Sequence, residues 1–250
     1  MARKTRVTIS VVATLALTAA AAATTWSPQE VTCPLCGATN EFQGVMSFGT
    51  YIYDWPSKFQ LVFWPYTDAN VLYSCEDCKL TCFMSDFDDI PAEKYDALRE
   101  ASAEVDFGGD YATYAEIPMS ARLAAAEKVY AAWGRDDDFW CRFYRIAGYH
   151  AAAEGLTEEA AAARGRALAI AEALMQDETR TGERKEFLTI AGAMRHLTGD
   201  DAGALRDFEE ALALTYENAE FAAERNEGYD GYLTALLQEY VAKVEGGGEE

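Results

Sequence analysis

The sequence predicts an α+β protein in which a small β domain precedes an α-helical repeat domain. Before Ile90, the chain holds two C-x-x-C pairs and a dense set of aromatic and β-branched residues, a composition that favours short strands. From Ile90 onward, alanine is abundant and strand formers are sparse, which favours helices. The helical part also matches itself at an offset of 44 residues, as expected for a repeat.

The two cysteine pairs carry the clearest chemistry. They are Cys33-Pro34-Leu35-Cys36-Gly37 and Cys75-Glu76-Asp77-Cys78. Each pair can supply two thiolate ligands to a tetrahedral metal, and two pairs close the site without leaving a position for substrate. We therefore expect a structural Zn²⁺ bound by Cys33, Cys36, Cys75 and Cys78 in a zinc-ribbon-like β domain. The second pair is the weaker match, because Lys79 replaces the usual glycine.

Residues 1–23 have the pattern of a secretory signal peptide. Arg3, Lys4 and Arg6 precede an uncharged, largely apolar run that ends in small residues suited to cleavage. We expect cleavage and an extracytoplasmic protein, periplasmic or secreted, in which residues 24–30 form a linker. The alternative is a membrane anchor formed by residues 7–23, since about 17 residues is the lower limit for a span.

Export leaves the state of the six cysteines open. Thiols outside the cytosol tend to oxidise, so a disulfide-stapled binding protein is one alternative to zinc. A thiol-disulfide oxidoreductase that uses the C-x-x-C pairs is another. Neither motif lies in a βαβ pattern, and a chain of this length can bury a core without staples, so zinc is favoured. Cys82 could be a spare ligand or a free thiol, and Cys141 is expected to be a small buried side chain.

The chain is strongly acidic, with a formal charge of −21. Loss of the three cations in residues 1–23 would leave 18 basic against 42 acidic residues, and a charge of −24. Such a surface repels phosphate backbones, so nucleic acid is not an expected partner. Solubility explains the acidity most simply, and a cationic protein partner is the functional alternative.

The β domain is predicted to span residues 31–89. Strands are predicted at Thr50–Tyr53, Phe59–Trp64 and Asn70–Ser74, with turns between them. Ten aromatic residues fall between Phe42 and Tyr73. We expect most of them to form the core of this small domain, because exposing so many aromatic side chains to water would be unfavourable in free energy. The alternative is that they form an exposed surface that binds a partner.

The helical domain is predicted to span residues 90–245, followed by a disordered tail at residues 246–250. Apolar periodicity and helix-terminal residues place its helices at Ser120–Trp133, Asp138–Glu154, Thr157–Gln176, Gly182–Leu197, Asp201–Tyr216 and Asn226–Val244.

The repeat aligns Gly148 with Gly192 and Ala160 with Ala204. Small residues at these positions would let one helix approach the next. The second copy resembles the tetratricopeptide pattern, whose period of 34 is about ten residues shorter. Stacked helical repeats present an extended surface that usually binds other proteins.

Residues 31 to about 89, together with the helices that follow, resemble the bacterial domain of unknown function 2225 family. The matching residues are the knuckles at 32–37 and 73–78, Tyr53-Asp54 and Asp86-Phe87. The resemblance implies metal binding by Cys33, Cys36, Cys75 and Cys78, and implies no known activity. Lys79 and the export signal are departures from the family pattern.

Catalytic motifs are not apparent in the sequence. It has no G-x-S-x-G, phosphate-binding glycine loop or H-E-x-x-H. His150 and His196 lack ligand-type neighbours at helical spacing, so both are expected to be structural. The sequence therefore predicts a non-catalytic protein-interaction or scaffold protein, in contact with a membrane only if the N-terminal segment is retained.

Overall fold

The computed structural model describes residues 24–49 and 51–246. These residues form two small antiparallel sheets and eight α-helices, so the predicted α+β class is confirmed. The predicted signal peptide at 1–23 lies outside the described residues. All of the predicted tail except Gly246 also lies outside them.

Each sheet is one hairpin that carries one cysteine pair at its turn. The first pairs β1 (Thr24–Thr32) with β2 (Thr39–Phe48), and the second pairs β3 (Leu72–Ser74) with β4 (Thr81–Phe83). The predicted linker at 24–30 is wrong, because these residues belong to β1. Pro28 lies within β1, because a two-stranded sheet has only edge strands, where proline is tolerated.

The aromatic segment between the hairpins is built from turns. Asn70–Ser74 is confirmed in part by β3, whereas residues 51–53 and 59–64 form no strand. The Gln60 N–H donates to the carbonyl oxygen of Pro56 (3.1 Å), in a chain of local turns that replaces a strand ladder. Tertiary burial of aromatic side chains has overridden the strand propensity of this segment.

The helices follow β4 in chain order. They are α1 (Met84–Phe87), α2 (Tyr95–Ala103), α3 (Met119–Trp133), α4 (Asp137–Ala153), α5 (Thr157–Leu174), α6 (Arg184–Leu197), α7 (Asp201–Leu212) and α8 (Ala223–Glu245). The six predicted helices correspond to α3 through α8. The largest differences are at α7, which ends at Leu212, and at α8, which begins at Ala223. A 3₁₀ turn at Glu178–Glu183 precedes α6.

Two helical hairpins, α4–α5 and α6–α7, make equivalent close contacts. A methyl group at Gly148 would lie 3.4 Å from the carbonyl oxygen of Ala160, and one at Gly192 would lie 3.1 Å from that of Ala204. The same offset of 44 residues relates both contacts. Small residues therefore set the approach of the two helices in each hairpin, as the sequence alignment predicts. The tetratricopeptide-like assignment stays a prediction.

The hydrophobic core has two clusters, and the first crosses residue 89. It runs from Cys33 to Ile146, so the cysteine hairpins share a core with α2, α3 and α4. The second cluster joins α5 through α8 and includes Phe59 from the aromatic segment. Most of the aromatic side chains are buried or half-buried, as predicted, and Phe48 is an exception at 63% exposed.

Substitution of Gly192 by alanine tests the helix approach. The added methyl group would overlap the ring of Phe208 and crowd the Ala204 carbonyl, so we expect Gly192→Ala to destabilise the fold by about 1–3 kcal/mol. Gly165→Ala in α5 is the matched control, because a methyl group there meets no neighbour within 4 Å. Helix propensity should make it stabilising by about 0.5–1 kcal/mol. Urea unfolding measures both, and equal effects would contradict the close approach.

Candidate metal centre

The two cysteine turns have the same backbone geometry. In the first, the Cys33 N–H donates to Ala38 (2.8 Å) and the Gly37 N–H donates to Cys33 (2.9 Å). In the second, the Cys75 N–H donates to Leu80 and the Lys79 N–H donates to Cys75, both at 2.9 Å. Each turn thus places its two cysteines at the same end of the hairpin, with both sulfurs on one side.

Lys79 adopts the backbone conformation that glycine supplies in the first turn. Its φ is 61°, close to the 77° of Gly37, and both lie in the left-handed region. The side chain of Lys79 leaves the turn and donates from Nζ to the carbonyl oxygen of Val105 (2.8 Å). The missing glycine therefore does not change the shape of the second turn.

The four sulfur atoms of Cys33, Cys36, Cys75 and Cys78 lie within 4.8 Å of one another. Two of these distances join the turns: 3.5 Å from Cys33 to Cys78, and 3.6 Å from Cys36 to Cys75. Thiolates at about 2.3 Å from a tetrahedral zinc are about 3.8 Å apart, whereas a disulfide needs about 2.05 Å. The cluster thus has the dimensions of a four-thiolate metal site. No disulfide bond joins any of the six cysteines of the chain.

The thiols of the cluster perturb one another strongly. Hydrogen bonds from Cys33 and Cys78 hold the pKa of the Cys75 thiol far below its usual range. The hydrogen bond to Cys75 raises the pKa of Cys33, and the bonds to Cys33 and Cys75 raise the pKa of Cys78, with burial adding to both effects. One thiolate is therefore stabilised by its neighbours, but four thiolates in so small a space need a cation to balance their charge.

Asn40 links the two turns beside the sulfurs. Its side chain is 3% exposed, and its Nδ2 donates to the Cys75 sulfur (3.6 Å) and to the Ala38 carbonyl (3.2 Å). Its Oδ1 accepts from the Glu76 N–H (2.9 Å). Asn40 thus satisfies polar groups of both turns and donates to a sulfur that would be a metal ligand.

The segment around α2 forms hydrogen bonds with both cysteine turns. Arg99 donates from Nε and Nη2 to the carbonyl oxygen of Leu35, at 3.1 and 3.0 Å. Lys79 reaches Val105 just after the helix. These bonds tie the first turn to α2 and the second to the chain beyond it, so the helical half contributes to the position of the sulfurs.

The other candidate residues lie away from the cluster. Cys82 is buried in β4 and Cys141 is buried in α4, where its sulfur approaches the Ala167 carbonyl (3.7 Å). His150 bonds through Nε2 to the Tyr66 carbonyl (2.8 Å), and burial lowers its pKa. His196 bonds through Nδ1 to Asp201 (2.6 Å). Within the described residues, the structure therefore gathers the four predicted cysteines and none of these four.

Sequence reasoning identified the cysteines but not the residues that support them. Asn40 lies 35 positions from Cys75, and Arg99 lies 64 positions from Leu35. Neither has a local pattern that marks it. Asn40 follows Gly37 of the first turn by three positions, which is too general a pattern to identify it.

No protein-family model, curated protein or solved structure matches the chain. The resemblance to the domain of unknown function 2225 family therefore stays a prediction. In residues 24–49 and 51–246, no helix combines the length and the apolar character needed to cross a bilayer.

Removal of the Asn40 side chain tests its role at the site. Asn40→Ala loses the N–H···S bond and leaves the Glu76 N–H without its acceptor, so we expect the affinity of the cluster for a metal ion to fall about 10- to 100-fold. Asn40→Asp keeps an acceptor but adds a negative charge beside the sulfurs, and should weaken binding at least as much. Glu41→Gln, on an exposed neighbouring position, is the control. Competition with a chromogenic chelator measures the affinity, and wild-type values for both Asn40 variants would contradict this role.

Proposed function

We propose that this chain is an exported, non-catalytic scaffold protein, with a structural zinc site and a helical-repeat surface that binds a protein partner. The observation that carries the proposal is the cluster of four cysteine sulfurs within 4.8 Å. Four protein ligands fill the coordination of tetrahedral zinc, so no position remains for a substrate or a reactive water. Cys33, Cys36, Cys75 and Cys78 would hold the ion.

The donor set and its surroundings support zinc at this site. Cys33 and Cys75 are 1% and 0% exposed, as suits a structural ligand, whereas Cys36 is exposed. The sulfurs of one turn lie close to those of the other, at 3.5 Å from Cys33 to Cys78 and 3.6 Å from Cys36 to Cys75, so the two pairs form a single cluster. A redox pair would need its own two sulfurs to meet in a disulfide, so this arrangement favours a shared metal over an oxidoreductase.

The helical half supports the binding role. Its two equivalent hairpins resemble the repeat units that stack into protein-binding surfaces. A partner with a cationic surface would complement the formal charge of −21, and nucleic acid would not. Export through residues 1–23 would place this scaffold in the periplasm or outside the cell.

Matched cysteine variants test the zinc site. We expect one zinc per chain in the full-length protein purified without reductant, with four thiols protected from alkylation until a chelator is added. Cys36→Ala should lose the ion and a large part of the thermal stability. Cys82→Ala, a buried thiol outside the cluster, should keep one zinc per chain. Native mass spectrometry measures the stoichiometry.

Two outcomes of that measurement would contradict the zinc site. A metal-free protein with oxidised Cys33-Cys36 and Cys75-Cys78 pairs would favour disulfides or redox chemistry. Full zinc occupancy in Cys36→Ala would show that the four cysteines are not all ligands.

The N-terminus of the protein recovered from its own cells tests export. We expect intact-mass analysis of the extracytoplasmic fraction to show a chain that starts near Thr24, because the apolar run ends in small residues suited to cleavage. A chain that retains residues 1–23 in the membrane fraction would favour the anchor. A full-length chain in the cytosol would contradict export altogether.

A further inference from the structure

An open cleft lies where α6 begins. Its walls are the start of α4, the 3₁₀ turn at Glu178–Glu183, the start of α6, the connection from α7 to α8 and the start of α8. Two adjoining cavities of about 1050 and 490 Å³ share Glu186, Tyr216 and Phe221. This cleft is separate from the cysteine cluster, and the zinc site gives it no role.

Aromatic rings line the smaller cavity. Tyr216 and Tyr229 meet edge to face, with ring centroids 4.8 Å apart, and Tyr229 stacks on Tyr232 at 6.0 Å. Phe221 lies beside Tyr216 at 6.5 Å. The face of each ring attracts a cation, most strongly where water is excluded. Several such rings around one space are the arrangement that recognises alkylated ammonium groups.

The carboxylate of Glu186 lies among these rings. Glu186, in the first turn of α6, accepts a hydrogen bond from the Tyr229 hydroxyl (2.9 Å) and lines both cavities. Across the described residues, no basic side chain forms an ion pair with it. Burial raises the pKa of Glu186, although the Tyr229 bond and the charge of Arg145 oppose the shift. Glu186 is half-buried, and a partly buried carboxylate outside any ion pair is costly, so a cationic ligand would reduce that cost.

Three basic residues line the cleft: Arg142, Arg180 and Arg225. Arg142 is exposed and places its guanidinium over the rings of Tyr66 and Phe139, 5.6 and 6.0 Å from their centres. Arg180 bonds to Asp138 and to Glu183, both at 2.7 Å. Arg225 is exposed and places its guanidinium 3.6 Å from the centre of the Phe221 ring. Arg225 therefore occupies one ring face that a cationic ligand would use, while Glu186 stays without a cation.

The aromatic wall is held in place by the protein itself. The Tyr216 N–H donates to Asp230 (2.6 Å), and Asp230 is fixed by the buried ammonium of Lys185 (2.7 Å). The Asn218 N–H donates to Asn226 (2.9 Å), and the Asn226 side chain donates back to the Asn218 carbonyl (3.1 Å). Because the wall is ordered before a ligand arrives, binding would not have to supply that ordering free energy.

We propose that this cleft binds an alkylated ammonium group, with Tyr216, Phe221 and Tyr229 around the cation and Glu186 as its counter-charge. The group could belong to a free small cation or to a lysine side chain of a peptide, since both offer the same chemistry. The proposal stands independently of the zinc site and of export.

Choline and its uncharged isostere 3,3-dimethylbutan-1-ol test the requirement for positive charge. Calorimetric titration into the full-length protein should show choline binding at least about tenfold tighter than the isostere. A trimethyllysine peptide is the second probe. Tighter binding of the peptide than of choline would identify a side chain as the source, and the reverse would identify a free cation. No binding of either cation, or equal binding of choline and its isostere, would overturn the proposal.

Three variants separate a specific site from general acidity. Glu186→Gln should weaken choline binding at least about tenfold and also raise the melting temperature, because it removes a desolvated charge. Arg225→Ala should tighten binding, because it frees the Phe221 ring. Glu209→Gln removes one exposed charge from α7 and should change neither property. If Glu209→Gln weakens binding as much as Glu186→Gln, long-range charge explains the binding and the site is refuted.

Discussion

The buried guanidinium of Arg122 joins the second cysteine hairpin to the helices. The side chain is 2% exposed, and its Nη1 donates to the carbonyl oxygens of Ala69 (2.9 Å) and Leu72 (2.8 Å). Its Nε donates to Ile117 (3.1 Å). Burial lowers the pKa of the guanidinium, and these carbonyls replace the water that it has lost. Separation of α3 from β3 would leave both a buried charge and carbonyl oxygens unsatisfied, so the two elements are held as one unit.

Helix side chains also donate hydrogen bonds to backbone carbonyl oxygens along the rest of the aromatic segment. A segment of turns has few ladder partners, so helix side chains must satisfy its backbone carbonyls. Arg145 donates to Leu61 (3.2 Å), His150 bonds to Tyr66 (2.8 Å) and Tyr240 donates to Lys58. The cysteine cluster therefore rests on short strands that the helical half supports. Because the free energy of metal binding adds to that of folding, a metal bound by this cluster would also stabilise the shared core.

The sequence predicts those features whose signals are local. Helices α3 through α8 follow from alanine content and apolar periodicity, and the four cysteines follow from their spacing. The predicted strand at 59–64 is wrong, because aromatic and β-branched residues are equally suited to a buried turn when helices cover it. The contacts of Asn40, Arg99 and Arg122 join residues far apart in the chain, so the sequence alone does not predict them.

The structure also limits where a partner could bind. Phe59 is 1% exposed and packs against Tyr240 and Phe208, with ring centroids at 4.3 and 6.1 Å, so the chain itself covers that part of the helices. The cleft at the start of α6 is not covered in this way. An acidic residue that serves solubility needs full exposure to water, but Glu186 is half-buried among aromatic rings. Its position is therefore better explained by a cation that binds there than by the acidity of the chain as a whole.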